Sequence, residues 1–131
     1  MLERAPLLRR TLIVNAGFSA FSGLGMALAR EPMARWLGVG DPALLGWTGL
    51  VLLAFAGHLY WASRRRIPSI EVLYFVASDV LWVVGTAVLV LASPAHLSLS
   101  GRWTALAVAL VIGGFAVFQA KGWGEARRAA R

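Results

Sequence analysis

The sequence predicts an all-α, polytopic membrane protein: a bundle of four transmembrane helices. Three observations carry this. Hydrophobic residues make up 59% of the 131-residue chain, where a soluble domain is nearer half apolar. Charged residues make up 15%, against the usual quarter. The apolar excess falls into four blocks separated by short segments that hold charge, proline or glycine, the pattern of a chain that crosses a bilayer repeatedly. The length fits a single integral membrane domain over residues 1–131. Helices are required because hydrocarbon offers no partner to a backbone N–H or C=O group.

The first block covers residues 12–29, "LIVNAGFSAFSGLGMALA". Ala16, Ala20, Gly23 and Ala27 recur at helical spacing and form a seam of small residues, where another backbone can approach closely. Asn15, Ser19, Ser22 and Met26 fall on the adjacent face. A competing reading makes residues 1–29 a cleaved signal peptide, with Ala27-Leu28-Ala29 as the cleavage site. Asn15 and the three glycines within the apolar stretch fit a packed membrane helix better. The second block, residues 43–63, is set off from the first by Pro32 and by Asp41-Pro42, and carries His58 near its end. The third, residues 70–92, follows "RRRIP". The fourth, residues 103–120, follows Pro94 and "SLSGR" and carries Gln119 near its end. Each block is close to the ~20 residues a helix needs to cross a ~30 Å hydrocarbon core.

The basic residues orient the spans. Arg4, Arg9 and Arg10 precede the first. Arg64, Arg65 and Arg66 lie between the second and third, and Lys121, Arg127, Arg128 and Arg131 follow the fourth. Four crossings put these ten on one side and leave Arg30, Arg35 and Arg102 on the other. The asymmetry predicts cytoplasmic N- and C-termini, as in a bacterial inner membrane. Trp36, Trp47 and Trp103 fall near the outer boundary, and Tyr60, Trp61 and Trp123 near the inner one, consistent with interfacial belts. The net charge of +7 is therefore assigned to topology. No nucleic-acid partner is expected, since no basic, aromatic-interleaved polar surface accompanies it. The lipid bilayer is the expected partner, with a homodimer or another membrane protein as further candidates.

The third span holds the most informative residue. Asp79 lies nine residues past Ile70, about 13 Å into the span at 1.5 Å per residue. An ionised Asp at that depth costs at least ~2.5 kcal/mol, so its side chain turns into the bundle, is protonated, or both. Glu71, Phe75, Ser78, Asp79, Trp82 and Thr86 form one helical stripe that should face the other helices. Leu73, Ala77, Val80, Val84, Val88 and Leu91 occupy the opposite side, suited to lipid. Asn15, His58 and Gln119 share the cytoplasmic half with Glu71, and Ser19 lies on the same face of the first span as Asn15. The candidate intramembrane polar cluster is thus Asp79, Ser78, Trp82, Asn15, Ser19, His58, Glu71 and Gln119. Ser78 and Trp82, with Asn15 or Ser19 from the first span, are the expected hydrogen-bond neighbours of Asp79.

No catalytic residue, metal site or cofactor is expected. The chain has no cysteine, which removes thiolate catalysis and thiolate ligation. It lacks a nucleophile elbow, a glycine-rich phosphate loop and an HExxH motif. His58 and His96 fall near opposite faces, so a bis-His haem would need two chains. The stretch "WLGVGDPALLGWTGLVLLAFAGHLYWASRR", residues 36–65, resembles the second-helix region of the DoxX-like group of small bacterial four-helix membrane proteins. That resemblance covers about a quarter of the chain and implies four spans without naming an activity. Two functions follow from the residues. A non-enzymatic accessory or assembly subunit would use the Asp79 stripe for helix contact and enclose no open cavity. A small transporter or ligand-binding membrane protein would have a cavity reaching Asp79, its central ionisable group.

Overall fold

The computed structural model describes residues 5–92 and 97–131. These residues form five α-helices and no strand: α1 (Pro6–Leu28), α2 (Arg30–Leu37), α3 (Pro42–Ser63), α4 (Ser69–Ala92) and α5 (Leu99–Ala129). Four of them, all but α2, are long and apolar enough to cross a membrane. Their ends follow local chemistry. Pro6 opens α1 and Pro42 opens α3, at first-turn positions where a missing N–H costs nothing. Asp41 caps α3 by accepting from the Ala43 N–H at 2.9 Å, and Ser98 caps α5 by accepting from the Gly101 N–H at 2.9 Å. Gly38, at φ 79°, ends α2 in the left-handed conformation that glycine adopts without strain.

Two expectations are corrected. The segment around Pro32 is not a plain breaker, because Pro32 sits in the first turn of α2, where proline is tolerated. Helices also outrun the apolar blocks: α1 starts at Pro6, and α5 runs from Leu99 to Ala129. At 31 residues, α5 is about 46 Å long, more than the ~30 Å hydrocarbon needs. Hydropathy delimits what a bilayer would accept, whereas the helix continues through Lys121, Arg127 and Arg128 because those residues are good helix formers.

The long helices pack in the order α3, α1, α5, α4. Close backbone approach sets this order. A Cβ on Gly23 of α1 would lie 2.7 Å from the Gly49 carbonyl oxygen of α3. A Cβ on Gly122 of α5 would lie 2.7 Å from the backbone nitrogen of Leu8 in α1. The expected seam is therefore an α3 contact at Gly23 and Ala27, while Ala16 joins the core. That core lies at one end of the bundle, where Leu8, Leu12, Leu59, Val72 and Phe75 are almost wholly buried. At the other end, α2 is tied to the start of α5. Ser98 and Ser100 hydroxyls both donate to the Trp36 carbonyl, at 2.6 and 2.7 Å, and the Trp36 indole donates to Thr104 Oγ1 at 3.1 Å.

The outward surface is apolar: Val14, Phe21, Leu28, Leu81, Leu110 and Val117 are all exposed. Extended apolar exposure of this kind marks an interaction surface rather than a water-facing one. On α4, Leu73, Ala77, Val80, Val84, Val88 and Leu91 face outward, as the helical period required, and Phe75 and Asp79 face inward.

Candidate functional site

The α3–α4 hairpin creates the site. Its connecting turn, residues 64–68, holds the two helices together at the core end. There an aromatic cluster bridges them: Phe75 meets Phe55 at 5.8 Å and His58 at 4.9 Å between ring centroids, both edge-on. Beyond this plug, each helix follows its own partner, α3 on α1 and α4 on α5. The two part, leaving a cavity of about 400 Å³. Val51, Leu52, Ala54 and Phe55 form its α3 wall, and Tyr74, Ser78 and Trp82 its α4 wall. Asn15, Ser19 and Asp79 form the floor, with Ile112 of α5 reaching in. Val51 and Tyr74 line the cavity and are also exposed on the outside of the bundle. The mouth is therefore on the side of the bundle, reaching from Val51 in the middle of α3 to Tyr74, the sixth residue of α4.

Asp79 is only 4% exposed and ties three helices together. Its Oδ2 accepts from Asn15 Nδ2 of α1 and from Gln119 Nε2 of α5, each at 2.9 Å. Ser19 Oγ, one turn along α1, donates to Asn15 Oδ1 at 3.1 Å and orients that amide. Interhelical bonds of this type contribute about 0.6 kcal/mol each within a membrane. The other carboxylate oxygen, Oδ1, accepts no hydrogen bond from the described residues. With Asp79 lining the cavity, Oδ1 is the oxygen left to meet its contents. Gln119, fully buried, keeps its own Oε1 without a partner among the described residues.

A second polar group closes the core end of the cleft. Arg65 Nη2 donates to both oxygens of Glu71, at 2.6 and 2.7 Å. His58 Nε2 lies 2.8 Å from Glu71 Oε1. The Arg65 guanidinium stacks over the Trp61 ring, 3.8 Å from its centroid, a favourable cation–π arrangement. The Glu71 charge is thus matched on the spot, and His58 presents one side of its ring to the cavity.

The eight candidate residues therefore divide. Asp79, Asn15, Ser19 and Gln119 form one hydrogen-bonded unit, and His58 and Glu71 form another with Arg65. Ser78 and Trp82 line the cleft but do not bond Asp79. The Ser78 hydroxyl donates instead to the Tyr74 carbonyl one turn back, at 2.8 Å, as serines within helices commonly do. Arg65 carried a signal that charge counting obscured, since it and Glu71 flank a short proline-containing turn with opposite charges. Phe55 and Tyr74 had none, because an aromatic residue in an apolar span looks the same whether it meets lipid or lines a cleft. His96 lies outside the described residues.

No family model, curated protein or solved structure matches the chain.

Proposed function

We propose that this chain is an integral membrane protein of a bacterial cytoplasmic membrane, with both termini cytoplasmic, that binds a small amphipathic molecule in the α3–α4 cleft around Asp79. The membrane placement rests on the four long apolar helices and the apolar outward surface. The orientation rests on the arginine asymmetry, and the bacterial assignment on the DoxX-like resemblance. One observation carries the binding role: a cavity of about 400 Å³ reaches a buried carboxylate that keeps one oxygen uncommitted. That volume lies within the ~300–1,000 Å³ range of small-molecule pockets. A mouth running from Val51 in mid-helix to Tyr74 near the start of α4 would open to the hydrocarbon and to the cytoplasmic membrane–water boundary, so an amphipathic ligand would arrive from the bilayer while water reaches the cleft. Carrying it across would take a partner surface over the mouth, for which a second copy of the chain is the simplest source.

The accessory-subunit reading has its own support. Asp79 bonds to α1 and α5, so it serves helix register whether or not anything binds. Cysteine labelling separates the two, because the chain contains no native cysteine. The thiol of Ser78→Cys, on the cleft wall, should react with N-ethylmaleimide in native membranes, since the attacking thiolate forms only where water reaches it. The thiol of Ala116→Cys, buried on α5, should not. Equal protection of both thiols would reject an accessible cleft and leave the register role.

A further inference from the structure

Building on the binding reading above, we infer that the α3–α4 cleft takes a lipophilic organic cation, an ammonium or phosphonium centre bearing apolar groups, with its charge against Asp79 Oδ1. Charge comes first. Among the described residues, Asp79 is the one carboxylate that lines the cavity, and no Lys or Arg lines it. Glu71 is matched by Arg65, and His58 is held to Glu71. The positive partner of Asp79 is missing from the described residues, and a ligand can supply it.

Hydrogen-bond capacity points the same way. On the floor, Asn15 Nδ2 and Gln119 Nε2 each direct one N–H to Oδ2 and Ser19 Oγ donates to Asn15, so these bonds converge on the carboxylate. What the floor offers is an acceptor, Oδ1. An anion would meet Asp79 with no Lys or Arg among the described lining residues to offset the repulsion. A neutral amphiphile with a single hydroxyl could use Oδ1 but would leave an ionised Asp79 uncompensated, which is costly in a water-poor site.

The walls complete the match. Phe55, Tyr74 and Trp82 line the cleft, and the faces of such rings attract a desolvated cation. Val51, Leu52 and Ile112 provide apolar surface for the substituents that let such a cation partition into a bilayer. The side mouth receives a molecule already dissolved there.

The experiment uses the full chain in lipid nanodiscs, with radiolabelled tetraphenylphosphonium as the probe and tetraphenylborate, of the same shape and opposite charge, as the competitor. Saturable phosphonium binding is expected, weakened at least tenfold by Asp79→Asn and severalfold by Trp82→Ala. The exposed, charge-removing control Glu125→Gln should bind as the parent does, and Trp82→Phe, which keeps a ring face on the cleft wall, should recover most of the binding that Trp82→Ala loses. Tetraphenylborate should not displace the probe. Asp79→Asn retains an oxygen acceptor for Asn15 and Gln119, and an unchanged melting temperature will show that it folds. Trp82→Ala tests the site independently of Asp79. Absent saturable binding, binding indifferent to both variants, or displacement by tetraphenylborate would each overturn the inference. If phosphonium fails but 1-dodecanol protects the Ser78→Cys thiol from N-ethylmaleimide, the cleft is a site for neutral amphiphiles: the binding role stands and the cation assignment is wrong. If that thiol never labels, both fall.

Discussion

Adding one methyl group at Gly23 tests the packing that opens the cleft. A Cβ there would lie 2.7 Å from the Gly49 carbonyl oxygen and 3.1 Å from the Leu53 backbone nitrogen. Carbon and oxygen are comfortable beyond about 3.3 Å, so α1 and α3 must separate by roughly half an ångström. Both obstructing atoms are backbone, so no side-chain rotation relieves them. Overpacking of this kind costs about 1–3 kcal/mol, and the helix-propensity gain of Gly→Ala returns up to about 1 kcal/mol. Gly23→Ala should therefore lose about 1–2 kcal/mol, and Gly23→Leu more. Gly17→Ala is the matched control. It lies on the same helix, is exposed, and a Cβ there meets nothing within 4 Å, so only the propensity gain remains. Thermal unfolding followed by circular dichroism in detergent reads the difference, at roughly 3 °C per kcal/mol for a chain of this size. Gly23→Ala should melt several degrees below the parent, and Gly17→Ala level with it or above. Val84→Leu, on the outward face of α4, should also leave the melt unchanged. A Gly23→Ala protein as stable as the parent, with Gly17→Ala or Val84→Leu destabilised, would refute the assignment of faces and the α1–α3 contact.

Two further outcomes are expected. Asp79→Leu strips the acceptor from Asn15 and Gln119 together, so it should destabilise the bundle by about 1 kcal/mol, from two interhelical bonds of ~0.6 kcal/mol each; a detergent melt unchanged from the parent would show that these bonds do not hold the helices. Alkaline phosphatase fused after Arg131 should be inactive if, as proposed, the ten-to-three basic asymmetry places both termini inside, and a periplasmically active fusion would require an odd number of crossings.

Some of the site was legible from period and depth alone. An aspartate in the middle of an apolar helix has one tolerable orientation, and a 3.6-residue period places every other residue of α4 relative to it. That is why Leu73, Val80, Val84 and Val88 could be set outside, and Phe75 and Asp79 inside, before any neighbour was known. The membership of the polar cluster was less legible. Asn15, His58, Glu71 and Gln119 share a depth, but depth says nothing of position around the bundle. Position around the bundle joins Asn15 and Gln119 to Asp79, while His58 goes to Glu71 and Arg65 at the hairpin turn.

The sequence by itself determined the four apolar helices and the inward placement of Phe75 and Asp79 on α4. The bilayer's demand for internally satisfied backbone is met segment by segment and is written in local composition. It did not reveal α2, because eight residues with two arginines, a glutamate and a proline carry no such demand; its place comes from the Trp36 bonds to Ser98, Ser100 and Thr104. Nor did it reveal the cleft. Consecutive helices joined by a short turn would ordinarily be expected to pack along their length. Here Gly23 against Gly49 draws α3 to α1, and Gly122 against Leu8 draws α5 to α1, with α4 following α5. Close backbone approach is a property of pairs, and a single sequence lists small residues without saying which ones meet. That pairing decided that α3 and α4 separate, and so decided that Asp79 lies at the bottom of a cleft rather than inside a closed core.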